Sequence, residues 1–332
     1  MSTRTEKARA GILKVLSEAG EPLGAARIGT ALLAAGLDLQ PRTIRFHLLH
    51  LDREGMTQPV SRRAGRLITV HGREELTRAN VFEKVGVVAT RVDGLGYQMT
   101  FDLQTGQGSV VVNTTLLYPE HLRRALTEMK LVFRHHLGVS SRIMLAPAGG
   151  RLGNVVIPDK HVGIGTVCSV TVSGTLLHRG IPVTARFGGL LEIRDRRPVR
   201  FVELIEYRGT TLDPLEVFIK ANMTRVLDVV RRGSGIICAG FREVPAMALA
   251  DVHRIRKTMQ AAGLSGILEL GRPNQPLLGI PVGDGQAGMI VAGGLNPIAA
   301  LRESGLPVVI RSLAGLEDFA GFRFVDEIQR TL

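Results

Sequence analysis

Residues 41–55 read PRTIRFHLLHLDREG, and residues 65–76 read GRLITVHGREEL. In the first stretch Ile44, Leu48 and Leu51 recur at i, i+4 and i+7, the spacing that lines one face of a helix. Pro41 suits a first helical position, where no backbone N–H is needed, and Gly55 stops the run. With that stripe turned inward, Arg42, Phe46 and Arg53 point outward, and Thr43, Arg45 and His50 lie on the flanks. His47 falls nearer the core edge, where a packed histidine and a surface contact are both open. Strands are predicted over Met56–Val60 and Arg66–Val70, with Ser61–Gly65, including Arg62 and Arg63, as the tip between them.

Upstream, Ile12, Leu13, Val15 and Leu16 predict a helix over Glu6–Ala19, closed by Gly20 before Pro22. Ile28, Ala31, Leu32 and Ala35 predict a second over Ala25–Ala35, closed by Gly36. Three short helices followed by two strands around an arginine-rich tip describe a winged helix-turn-helix over residues 1–75. Such a module reads duplex DNA with its third helix. Guanidiniums take guanine edges or phosphates, a hydroxyl adds a hydrogen bond, and an apolar ring meets a thymine methyl. The candidate contacts are Arg42, Thr43, Arg45, Phe46 and His47 on the helix, with Arg62, Arg63 and Arg66 of the wing reaching the backbone or minor groove. A solvated charged face and a protein-binding winged helix are the alternatives. An RNA partner is the third, and the deep, narrow A-form groove suits it less.

Composition agrees with that reading and limits others. The 332 residues suit two domains, 45% are hydrophobic, and the net charge is +12. Residues 1–80 hold thirteen cations and eight acids, so about +5 falls on a quarter of the chain. No apolar run approaches the roughly 20 residues of a membrane span, and the N-terminus lacks the apolar core of a secretory signal. A cytoplasmic protein is expected. Cys168 and Cys238 sit far apart in apolar settings and read as buried thiols, with neither a disulfide nor a metal set.

A linker helix is predicted over 76–84, within REELTRANVFEK (73–84). From residue 85 to 330 the chain reads as a mixed α+β domain that makes the whole an α/β protein. Strands are predicted at Val85–Val92, Gln98–Leu103, Gly108–Asn113, Arg142–Ala146, Gly165–Ser173, Val183–Ile193, Val199–Tyr207, Ile236–Phe241, Gly266–Leu270 and Gly288–Ala292. Helices are predicted at Pro119–His136, Asp213–Arg231, Ala246–Ala261 and Pro297–Ser304. VGIGTVCSVTVSGTLLHRGIPV (162–183) is echoed about 125 residues later by DGQAGMIVAGGLNPIAALRESGLPV (284–308), which fits an internal duplication or a coincidence of glycine-rich units.

No catalytic motif stands out. The domain has no nucleophile elbow, P-loop or HExxH, and no metal-binding cluster. The better signals suit a small anion. Gly293 and Gly294 precede Asn296, a candidate helix cap, and Pro297, leaving free amides for a negative charge. Thr210 and Thr211 precede Asp213, a carboxylate cap that would repel an anion, so the hydroxyls are the better candidates there. Arg242 ends an apolar strand where it can grip a carboxylate, unless Glu243 is its partner, and Arg186 can supply a second cation.

GTVCSVTVSGTLLHRGIPV, RFGGLLEI, YRGTTLDPLEVFIKANMT, GFREVPA and LGIPVGDGQAGMIVAGGLNPIAA occur in that order within 165–300. They closely resemble the effector domain of the NrpR family of nitrogen regulators, and the likeness covers nearly all of 80–325. The resemblance implies a repressor of nitrogen-assimilation genes that binds a palindromic DNA operator as a homodimer. It implies release when 2-oxoglutarate accumulates, with no tightly held cofactor and no enzymatic activity. Archaeal members often carry two effector copies, and this chain has one. The competing expectations are an enzyme acting on a small carboxylate, fused to a winged helix, and an RNA-binding protein.

Overall fold

The computed structural model describes residues 3–61, 64–79 and 87–331. The chain divides into two units, Met1–Val85 and Gly86–Leu332. In the first, α1 (Thr3–Ala19), α2 (Ala25–Ala34) and α3 (Pro41–Arg53) precede an antiparallel pair, β1 (Thr57–Ser61) and β2 (Gly65–Ile68), and then α4 (Val70–Ala79). Ile12, Leu16, Ile28, Leu32, Ile44, Leu48 and Leu51 form a closed core together with Ile68. Each such side chain contributes roughly 1.5–3 kcal/mol when fully buried.

Two details set the wing. Leu23 bridges to Arg66, and a Cβ on Gly65 (φ +97°) would lie 2.2 Å from the Leu23 backbone, so only glycine allows this approach. The strand expected to run to Val70 ends at Ile68, because the Thr69 hydroxyl accepts from the Gly72 amide at 3.0 Å and starts α4. The predicted linker helix therefore begins early, and residues 80–84 lie outside the described ones.

The second unit opens on α5 (Val87–Gln98), where valines predicted a strand. Val88, Val92 and Gly96 are four apart and form its buried face, so packing overrides β propensity. The segment 98–103 is likewise no strand; Asp102 makes only an isolated bridge to Gln107.

Two repeats of one element order follow. The first runs β3 (Ser109–Leu117), α6 (Leu122–Arg134), β4 (Arg142–Ala146), a small hairpin β5–β6 (Arg151–Leu152, Val155–Val156), β7 (Val162–Val167), α7 (Val170–Leu177) and β8 (Thr184–Arg194). After β9 (Arg197–Glu206), α8 (Pro214–Lys220) and α9 (Val226–Arg232), the second runs β10 (Gly235–Pro245), α10 (Leu249–Ala261), β11 (Ile267–Leu270), β12 (Gln286–Ala292), α11 (Asn296–Glu303) and β13 (Val309–Asp318). β14 (Arg323–Phe324) and α12 (Val325–Thr331) close the chain's described part.

The two five-stranded antiparallel sheets are ordered β13-β3-β7-β4-β14 and β11-β12-β10-β8-β9. Each repeat's last strand has crossed over: β8 lies beside β10, and β13 beside β3. One core cluster, including Leu126, Ile143, Ile164, Leu190, Phe218, Ile237 and Ile298, joins both sheets to the helices.

Two expected elements divide. Gly165–Ser173 becomes the end of β7 and the start of α7. The single helix expected over Asp213–Arg231 breaks between α8 and α9, where Asn222 turns to φ 57°. There the Glu303 carboxylate accepts from the Thr224 hydroxyl at 2.7 Å and from the Val226 and Leu227 amides at 2.8 Å, capping α9 from another helix.

The same clamp appears at both helix starts. The Thr171 hydroxyl accepts from the Val111 amide at 3.1 Å, while the Val111 carbonyl accepts from the Cys168 amide at 2.8 Å. Asn296 Oδ1 accepts from the Cys238 amide at 2.8 Å, and the Cys238 carbonyl accepts from the Gly293 amide at 2.8 Å. Asn296 Nδ2 also donates to the Cys238 and Leu137 carbonyls, both at 2.9 Å. Asn296→Ala leaves a buried amide unserved, so we expect about 2–4 kcal/mol lower stability. A denaturant midpoint equal to wild type at unchanged slope would contradict this.

Candidate functional site

On α3, Arg42, Thr43, Arg45 and Phe46 are all exposed, and the two arginines form no ion pair among the described residues. Phe46 is 58% exposed and meets His50 edge-on at 4.6 Å, while Leu49, a residue the sequence reading passed over, is 47% exposed and widens the apolar part of this face. The signal for Leu49 was its position three residues beyond Phe46. His47 departs from the expected set: it is 7% exposed, and burial, reinforced by Arg9 and His50, lowers its pKa and keeps it neutral. Its ring supports the helix from behind.

Arg66 is also committed inside the fold. Its Nε donates to Asp52 Oδ2 at 2.7 Å, and Thr57 Oγ1 donates to Asp52 Oδ1 at 2.6 Å, so this carboxylate ties the end of α3 to both wing strands. Arg62 and Arg63 lie outside the described residues.

In the second unit the expected anion residues do not form one site. Arg186 Nη1 donates to Glu243 Oε1 at 2.8 Å and to the Pro281 carbonyl at 2.9 Å. Glu243 is thus the partner of Arg186 and not of its neighbour. Thr210 closes on its own loop, donating to the Leu212 carbonyl at 2.8 Å and accepting from the Leu212 amide at 3.1 Å; Thr211 is half-buried beside it. Asn296 does not cap α11, whose N-cap is Leu295, because its amide is used by the clamp. Gly293 packs against Cys238, where a Cβ would come within 2.9 Å of its carbonyl oxygen.

Gly294 lines a small cavity, and Arg242 bonds to Ser169 of its lining without lining it itself. Arg242 is 1% exposed on β10 and Nη2 donates to Ser169 Oγ at 3.2 Å, yet its Nε and Nη1 are buried with no hydrogen-bond partner. No carboxylate among the described residues pairs with it, and burial lowers its pKa. Ser169 and Gly294 line a small cavity together with Asn113, Tyr207, Asp213 and Leu313. Asn113 Oδ1 accepts from the Leu313 amide at 3.1 Å, while its buried Nδ2 has no partner. The cavity volume is about 10 Å³, room for one water molecule.

The surroundings hold two groups that stay neutral and one carboxyl. Burial pushes the Cys168 thiol up to about 11 and raises the Tyr207 hydroxyl further, so both stay neutral. Asp213 caps α8 by accepting from the Leu215 amide at 2.8 Å, and burial raises its pKa to about 6 despite that bond. Asn113, Ser169 and Tyr207 were not legible as site residues. Their only signal was a polar residue inside or next to an apolar strand.

The first unit is thus a winged-helix module, and the second a strand-exchanged α/β unit with a buried cation that no carboxylate pairs among the described residues. The sequence profile described as NrpR regulatory domains NRD1 and 2 matches residues 85–323, and that of the Ribonuclease R winged-helix domain matches 10–76. The global nitrogen regulator NrpRI of Methanosarcina mazei is 33% identical over 96% of this chain and 98% of its own length. The global nitrogen regulator NrpR of Methanocaldococcus jannaschii is 31% identical over 92% of this chain, which spans 52% of that relative. A crystal structure of a nitrogen repressor-like protein from Methanococcus jannaschii superposes with a TM-score of 0.59 at 27% identity, covering 71% of this chain and 97% of that one. The chain belongs to the NrpR family. No helix among the described residues is long and apolar enough to cross a membrane.

Asp213 gives a pH test. Unfolded, its carboxyl titrates near 3.9, and folded near 6, so the folded state holds the extra proton between those values. Stability from this group is therefore present below about pH 4 and lost as pH rises to about 6. Asp213→Asn keeps a capping oxygen and removes the titration. Its denaturant midpoint should gain on wild type as pH rises from 4 to 7; parallel pH profiles for the two proteins would refute the assignment.

Proposed function

We propose that this protein is a transcriptional repressor of nitrogen-assimilation genes that binds a palindromic operator as a homodimer and is relieved by a small anionic metabolite such as 2-oxoglutarate. The NrpR relatives support the regulatory class, and they are named as regulators rather than enzymes. The exposed face of α3 supports the DNA half: Arg42, Arg45, Thr43 and Phe46 carry the donor, hydroxyl and apolar chemistry of major-groove readout. Arg62 and Arg63 are proposed phosphate contacts of the wing. A twofold dimer gives each half-site an equivalent recognition helix.

The observation that carries the sensing half is Arg242. A buried guanidinium with two unbonded nitrogens and no carboxylate is costly, and an entering carboxylate would supply both charge and acceptors. Asn113 Nδ2 and Ser169 Oγ offer further donors nearby. A keto-dicarboxylate does not fit into room for one water, so its binding selects a state in which this cavity is wider. That differential affinity is what a ligand needs to shift an equilibrium, and a coupling of about 1–3 kcal/mol, or 5–150-fold in DNA affinity, is usual.

Two variants separate the halves. Arg45→Ala should weaken binding to the protein's own upstream DNA by about 1–3 kcal/mol while changing non-specific binding little, in a mobility-shift titration. Unchanged operator affinity would remove α3 as the reading helix. At a concentration 100-fold over its Kd, 2-oxoglutarate should stabilise the wild type by about 2.7 kcal/mol and release the operator. Arg242→Met should lose both responses without losing DNA binding, and an unaltered response would remove Arg242 from the site.

A further inference from the structure

The hairpin of β8 and β9 turns through Asp195 and Arg196, with Arg194 and Arg197 opposite each other at its end. β10 starts beside that end, where Gly235 pairs with Ile193, and α9 stops just before it at Arg232. The Arg196 amide donates to the Gly233 carbonyl at 2.7 Å, and the Arg225 amide donates to the Ile236 carbonyl at 2.8 Å. The end of α6 reaches the same place: burial, then the charges of Arg196 and His136, lower the pKa of His135. One end of the sheet thus gathers Arg134, His136, Arg196, Arg197, Arg225 and Arg232, all exposed and none in an ion pair among the described residues. The acids nearby are mostly taken. Glu192 serves Arg194 and Arg200, both at 2.7 Å, and Glu128 lies 3.6 Å from Arg231, which leaves Asp195 and Asp228.

Fold stability does not account for this gathering. Asp195 and Arg196 turn at φ 51° and 63°, a two-residue turn that asparagine and glycine fit best, so the arginine is strained there. Arg194 and Arg197 set like charges directly opposite each other. Arg225 is the N-cap of α9, the helix end at which a cation is disfavoured. A protein partner also fits poorly, because protein interfaces centre on apolar and aromatic anchors. No exposed large hydrophobic residue falls within 131–136, 194–200 or 225–235. Clustered guanidiniums without an apolar centre are the footprint of a polyanion. We propose that this end of the second unit is a second DNA-binding surface, which holds backbone phosphates of a duplex whose bases α3 reads. The proposal rests on the DNA-binding reading given above and adds a contact that carries no sequence information.

Salt titrations of the full-length chain on its own upstream DNA test this. Each phosphate contact steepens the fall of log K with log salt by about 0.9. R196Q/R197Q/R232Q should therefore flatten the slope by about 2–3 and weaken binding about 10–100-fold at low salt. R196K/R197K/R232K keeps the charges and should bind as the wild type does. Wild-type affinity and slope in the glutamine variant, with Arg45→Ala still weakening operator binding, overturn this surface and leave the winged-helix reading standing. The arginines would then belong to an acidic protein. Weakening that the lysine variant does not restore marks a structural role and also overturns the surface. A wild type without affinity for any duplex DNA overturns the DNA-binding reading, and this surface with it.

Discussion

Neither sheet of the second unit is complete without a strand from the other repeat. β3 and β10 are the strands that receive the exchanged neighbours, β13 and β8, across roughly 200 and 50 residues of chain. This exchange means that the two repeats share one core and cannot be buried separately, and the side-chain clamps from Thr171 and Asn296 fix where each helix leaves its strand. The turns after β7 and β12 are then forced together. A Cβ on Gly294 would lie 2.4 Å from the Val167 carbonyl oxygen, and Thr166 Oγ1 donates to the Gly294 carbonyl at 3.2 Å.

That junction is where the small cavity lies, which gives its lining a structural cause. Ser169 comes from the first repeat, Gly294 from the second and Asp213 from the segment between them, and Arg242 of the second repeat bonds to Ser169. The Arg242 guanidinium beside it keeps Nε and Nη1 buried with no hydrogen-bond partner among the described residues, which is a cost to the fold.

The winged helix is held by a smaller version of the same logic. One carboxylate, Asp52, accepts from Arg66 and Thr57 and sets the wing against α3, while Arg42, Thr43 and Arg45 on its exposed side make no hydrogen bond or ion pair among the described residues. Residues that fix the module and residues available to a partner are therefore different ones. Arg66 and His47 belong to the first group although their residue types suggested the second.

The sequence by itself determined what depends on local spacing. The three helices of the first unit, the amphipathic helix around Leu126 and Met129, Asp213 as a cap before Pro214, and the family motifs were all readable, because each rests on periodicity or chemistry within a few residues. Only the tertiary structure decided the rest. Val88 and Val170 lie in β-branched stretches that become helices because α5 and α7 cross closely, where a Cβ on Gly96 would touch Gly174 and one on Gly174 would clash with Met99. β13 pairs with a strand some 200 residues away and has no local signature of that partner. Whether Arg186, Arg242 or Asn296 was free for a ligand depended on which groups the fold brought beside each one, and residue type carries no information about that.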